Sequence, residues 1–109
     1  MKETNNVVIL VTTSNAEESQ KIADLLLNRR KAACVNIVTN INSIFWWQGK
    51  IDSSAESLLI IKTKTSLLSE VVSLVKDCHS YKVPEIIALP IIGGNEDYLR
   101  WINSEVTEK

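Results

Sequence analysis

The chain has 109 residues, 45% of them hydrophobic and 23% charged, and its 12 basic residues nearly balance 13 acidic ones. That composition is ordinary for a globular protein and excludes disordered, collagenous and fibrous classes. The net charge of −1 leaves no basic excess to neutralise phosphates, and the apolar runs fall far short of the ~20 residues that span a bilayer, so neither nucleic acid nor membrane is expected as a partner.

A chain of this length is one domain's worth and buries roughly two-thirds of its unfolded surface; residues 1–109 read as a single domain. The N-terminus, Met1-Lys2-Glu3-Thr4-Asn5-Asn6, is polar and has no signal-peptide apolar core, so a cytoplasmic location is expected. Two cysteines, Cys34 and Cys78, are too few for a stapled secreted fold and read as free thiols.

In chain order, Val7 to Thr13 is a β-branched run that predicts a central strand. Ser14 with Glu17 has capping-box spacing, and Ala16, Ile22, Ala23, Leu25 and Leu26 recur at helical spacing up to the basic run Arg29-Arg30-Lys31, which reads as a solvated helix end. A second strand follows from Ala32, with Val35, Ile37 and Ile41 assigned to one face. It continues to Ile44-Phe45-Trp46-Trp47 and turns at Gln48-Gly49-Lys50. Glu56 to Lys64 is the third strand. Ser66 is expected to cap a helix with the stripe Leu67, Leu68, Val71, Leu74, Val75 and Cys78, ending near His79-Ser80-Tyr81. Glu85 to Ile92 is a fourth strand, marked as an edge by Pro90, and Asn95 caps a last helix carrying Tyr98, Leu99, Trp101 and Ile102. The order β-α-β-β-α-β with an additional C-terminal helix predicts an α+β, ferredoxin-like fold.

The long β2-β3 hairpin sets a further demand. Fifteen residues, Ala33 to Trp47, extend about 50 Å at ~3.3 Å each, whereas a domain of ~100 residues is only about 35 Å across. The hairpin must bend or overshoot its domain, and its tip is apolar on both faces. Cover by a sister subunit is one solution; a bulge at Asn42-Ser43 that folds the aromatics back onto their own domain is the other. The first makes Phe45, Trp46, Trp47 and Trp101 candidate interface residues.

Five co-linear motifs carry a resemblance. Ala32-Ala33-Cys34-Val35-Asn36-Ile37, Trp46-Trp47-Gln48-Gly49-Lys50-Ile51, Ile61-Lys62-Thr63, His79-Ser80-Tyr81-Lys82-Val83-Pro84-Glu85-Ile86 and Tyr98-Leu99-Arg100-Trp101-Ile102 together resemble the CutA family of divalent-cation tolerance proteins. The resemblance implies a ferredoxin-like fold and a tight homotrimer with interlocked hairpins, similar to PII-type signalling proteins. It also implies binding of divalent metals, chiefly copper. The family motif has a proline where Ser80 stands and an acidic or polar residue where Lys82 stands.

On that implication the candidate ligands for Cu2+ are His79 and Cys78, with Glu85 or the distant Cys34 as a third, since thiolate and imidazole suit copper. The bland alternative makes His79 a helix-end residue and Cys78 and Cys34 small core residues. No nucleophile elbow, P-loop or carboxylate dyad is present, so no enzyme is expected. Thr12-Thr13-Ser14 is a helix cap before it is an anion site. Two functions remain open: a trimeric metal-binding protein of divalent-cation tolerance, or a PII-like regulatory or scaffold trimer that binds a small molecule or protein between its subunits.

Overall fold

In the computed structural model, which describes residues 4–109, the β-branched runs form β1 (Asn6–Thr13), β2 (Cys34–Trp47), β3 (Lys50–Lys64) and β4 (Ile86–Pro90). They make one sheet in the order β2-β3-β1-β4, with every neighbouring pair antiparallel. The helices are α1 (Ala16–Asn28), α2 (Leu68–Cys78) and α3 (Glu96–Glu105). This is the expected α+β arrangement, with β4 on an edge, where Pro90 costs no ladder hydrogen bond.

Strand alternation sends Val7, Ile9 and Val11 of β1 and Leu59 and Ile61 of β3 to one face. There they pack with Ile22, Ala23 and Leu26 of α1 and Val71 and Val75 of α2, all fully or almost fully buried. The opposite face keeps apolar residues in reach of solvent: Val38, Ile87 and Leu89 are each exposed.

Three local expectations shift. The cap of α1 is Asn15, one residue later than expected: its side chain accepts from the Glu18 amide, while the Glu18 carboxylate reaches back to the amide of Ser14 and not to that of the cap. A single 3₁₀ turn, Thr65–Leu67, contains Ser66, and α2 starts after it without a side-chain cap. The basic run is a solvated end only in part: Arg29 and Arg30 are exposed, but α1 stops at Asn28, and Arg30 takes a positive φ of 59°. That reversal turns Lys31 inward, where its buried ammonium meets Glu70 Oε2 at 2.9 Å and donates to the carbonyls of Thr107 and Lys109, each at 3.0 Å.

The hairpin follows the overshoot argument. Between Val38 and Ile41 the β2-β3 register shifts, with Asn40 at φ 58°, so the bulge lies at Thr39–Asn40 rather than at Asn42-Ser43. One extra residue flips the alternation. Val35 and Ile37 lie opposite Ile61 and Leu59 on the core side, but Ile41 lies opposite Glu56 on the other face and not with them. Beyond the bulge both strands continue to a two-residue turn, Gln48-Gly49, with φ of 50° and 78°, the combination that a type I′ hairpin requires. The long axis of the chain reaches 44 Å. The aromatics do not fold back: Trp46 is 73% exposed, Ile44 68%, Ile51 65% and Trp47 61%.

Candidate functional site

The chemistry-bearing residues gather where α2 ends. His79 leaves the helix with extended backbone angles, and its side chain is fully buried. The Tyr81 amide donates to Nδ1 at 2.9 Å, and Nε2 lies 2.7 Å from the Thr12 carbonyl. Nδ1 is thereby the acceptor, so Nε2 carries the proton and donates to Thr12. Both ring nitrogens are spent on the backbone.

Beside this ring lies Glu18, with Oε2 3.9 Å from Nδ1. Its carboxylate accepts four hydrogen bonds: from the Ser14 amide (3.0 Å) and hydroxyl (2.9 Å), and from the Ser80 amide (2.6 Å) and hydroxyl (3.0 Å). Burial pushes this carboxyl up, but the four donors outweigh it and hold its pKa down at about 2. Glu18 thus ties the first turn of α1 to the loop after α2. The loop is tied in turn to the hairpin, because the Tyr81 hydroxyl donates to Glu56 Oε2 at 2.7 Å. Burial, and then the bond to Glu56 and its charge, raise that phenol to about 12.

The other nominated ligands lie apart. Cys78 points its thiol back along α2 to the Leu74 carbonyl at 3.3 Å, and burial raises its pKa. Cys34, at the start of β2, sits opposite Lys62, whose ammonium is 4.0 Å from the sulfur. Glu85 is exposed just before β4. Among the described residues no three His, Cys, Asp or Glu side chains converge closely enough to hold a metal ion. Cys78, His79 and Glu85 share a region in the sequence and Cys34 does not, and the fold sends their ligand atoms in different directions.

An open cleft lies between the hairpin and the segment 81–85. Phe45, Trp47 and Asp52 line it from the hairpin, with Glu56, Tyr81 and Glu85 at its root. Sequence reasoning singled out neither Glu18 nor the Tyr81–Glu56 pair. The Asn15–Glu18 spacing was the available signal for the first; nothing local announces the second.

The comparisons with known proteins agree with this fold. The family model described as CutA1 divalent ion tolerance protein matches residues 7–105. The chain belongs to the CutA1 family. It is 48% identical over 103 residues to chloroplastic CutA 1 of Oryza sativa, and 45% identical over 95 residues to the divalent-cation tolerance protein CutA of Thermus thermophilus. Those matches cover 94% and 87% of this chain. The chain spans 58% of the length of the rice protein and 92% of the Thermus one. The crystal structure of Oryza sativa CutA1 superposes with a TM-score of 0.94 at 46% identity, covering 98% of each chain. The CutA structure from Archaeoglobus fulgidus gives 0.90 at 42% identity, covering 94% of this chain and 99% of that one.

These relatives overturn the cytoplasmic expectation. The rice and Arabidopsis thaliana proteins are named as chloroplastic, and the Archaeoglobus protein is described as periplasmic. The same fold serves several compartments, so the composition of the folded domain carries no address. Among the described residues no helix is long and apolar enough to cross a membrane.

Proposed function

We propose that the protein works as a homotrimer in divalent-cation tolerance, with hairpin tips seated on neighbouring copies. The observation that carries this is the tip itself: Ile44, Trp46 and Ile51 occupy one face of the two strands and are 65–73% exposed on a single chain. So large an apolar surface calls for a partner, and the bare sheet face with Val38, Ile87 and Leu89 offers a surface of the same character. Phe45 and Trp47 border that contact from the other face of the hairpin, and Trp101, packed against Tyr98 at 5.4 Å on α3, adds a separate exposed aromatic patch. Light scattering is expected to give one species at three times the 12.2 kDa chain mass; a monomer at micromolar concentration removes the reading.

Copper is the proposed ion, taken through the soft thiolate of Cys78; Cys34 and Glu85, which lie apart from it on the single chain, can join it only across a contact between copies. His79 then positions the loop after α2 and is not itself a ligand. The Cys78 thiol must lose its proton, and its raised pKa makes copper affinity climb with pH. In calorimetric titration Cys78→Ser and Cys34→Ser are each expected to lower copper stoichiometry. His79→Ala should leave stoichiometry unchanged and lower the melting temperature, because it strands the Tyr81 amide and the Thr12 carbonyl. Unchanged stoichiometry in both serine variants transfers support to the second reading, a PII-like regulatory or scaffold trimer. That reading draws on the cleft at the hairpin root.

A further inference from the structure

We infer that the segment 105–109 is a releasable strap over a cationic groove, and that the groove beneath it is a docking site for an extended acidic segment of another protein.

The groove is fixed without help from the strap. The Lys31 amide donates to the Leu26 carbonyl at 2.9 Å, the buried Thr63 hydroxyl donates to the Lys31 carbonyl at 2.6 Å, and Glu70 of α2 holds the Lys31 ammonium. With Arg30 at its positive φ, three cations, Arg30, Lys31 and Lys64, come together from the exit of α1 and the end of β3. Lys64 stands at the opposite end of β3 from the hairpin turn. The groove therefore includes neither the hairpin tip nor the residues Val38, Ile87 and Leu89, the surfaces assigned to the contact between copies.

The strap lies in this groove as a peptide ligand does. Its main chain is read directly: the Thr107 amide donates to the Arg30 carbonyl at 2.9 Å, and the Lys31 ammonium donates to the carbonyls of Thr107 and Lys109, two residues apart as in an extended chain. Its carboxylates are read as well. Glu105 meets Arg30 at 3.0 Å, and Glu108 meets Lys64 at 2.8 Å. The bond from Lys64, and then one from Ser66, hold the Glu108 carboxyl below its ordinary pKa, so this end of the groove favours a carboxylate. A small anion meets one of these cations. An extended acidic chain meets all three and the Arg30 carbonyl besides.

The strap is also lightly held. No residue from 105 to 109 is buried, so no apolar anchor secures it. Both of its ion pairs are open to solvent and weaken with salt. Lifting it exchanges polar contacts for water and exposes little apolar surface, which places it among the segments that open most easily.

The test uses the full chain. A fluorescent peptide of residues 103–109 is titrated at low salt into the parent and into the double variant Glu105→Gln, Glu108→Gln, and followed by anisotropy. In the parent the tethered strap competes at an effective concentration in the millimolar range, so the peptide should bind poorly. The double variant loosens the strap at side chains outside the core and is expected to bind the peptide about tenfold more tightly. A peptide with both glutamates replaced by glutamine should lose that gain, and so should Lys64→Gln added to the double variant. In the parent, hydrogen exchange at the Thr107 amide should quicken as salt rises, while that at the Lys31 amide should not. Equal affinity of parent and double variant, equal binding of the uncharged peptide, or a Thr107 amide indifferent to salt overturns the inference. Tighter binding of inorganic triphosphate than of the peptide also overturns it, since that marks a plain anion site. Light scattering on the same samples adds the last outcome: binding confined to dissociated chains overturns a groove that is open in the assembly.

Discussion

Replacing Ile44, Trp46 and Ile51 together by alanine is expected to convert the assembly into a folded monomer. The three side chains are mostly exposed on the single chain and touch no part of its core, so each contributes little to the protomer's own stability. Their contribution appears only when a neighbour covers them, and truncating a large apolar side chain at such a contact costs about 2–4 kcal/mol. Applied to several contacts per assembly, that loss moves dissociation from below micromolar into the accessible range. The far-UV spectrum should survive, because β1, β3, α1 and α2 keep their packing. The melting temperature of the parent should rise with protein concentration, and that of the variant should not. Val11→Ala, inside the core, gives the opposite pattern: the protomer loses stability at every concentration. If the triple variant elutes and scatters as the parent does, the hairpin tip is not the contact.

The fold was legible where a local period decides it. β1 is a β-branched run, α2 repeats apolar residues at i, i+3 and i+4, and Asn95 announces α3; each forms where its pattern stands. Reading failed where a single backbone angle carries the information. The bulge at Thr39–Asn40 needs one residue at positive φ, and an asparagine is only a weak sign of it, yet that residue decides which face Ile41 and everything beyond it occupies. The early half of β3, Lys50 to Ala55, is polar apart from Ile51 and Ala55 and shows no alternation, so its pairing with the aromatic tip was invisible until the partner strand was in place. Lys31 is the same lesson in charge: a basic residue at a helix end is normally solvated, and only the reversal at Arg30 turns it toward Glu70 and two carbonyls.

At the site, residue types were legible and directions were not. Cys78 and His79 are a plausible copper pair by softness, but adjacent residues leaving a helix diverge, and here one sulfur turns back to Leu74 while the imidazole spans to Thr12. The residue that organises the region is Glu18, 61 positions from His79 in sequence, and no spacing rule connects them. The polar links Ser14–Glu18–Ser80 and Tyr81–Glu56 join α1, the loop after α2 and the hairpin, so the cleft wall inherits its rigidity from contacts that only the tertiary fold creates.

Glu18→Gln is therefore expected to cost about 3 kcal/mol at neutral pH, the free-energy equivalent of a carboxyl moved from its ordinary 4.5 to about 2. The amide keeps the shape but not the charge, and it turns an NH₂ toward donors of Ser14 and Ser80. The sign of the pH dependence follows from the direction of the shift. A carboxyl whose folded pKa is depressed contributes its full stability above the unfolded value near 4.5. That contribution is lost as pH falls through the window down to about 2, where the folded carboxylate protonates. Denaturant melts of the parent at fixed protein concentration should show the decline, and the difference between parent and Glu18→Gln should shrink toward zero across the same window. Glu17→Gln, exposed in the same helical turn, is the control and should change stability by less than ~0.5 kcal/mol. A parent–variant difference that is small at pH 7, or that persists undiminished at pH 2.5, would show that the four hydrogen bonds do not hold α1 to the loop in the way the geometry implies.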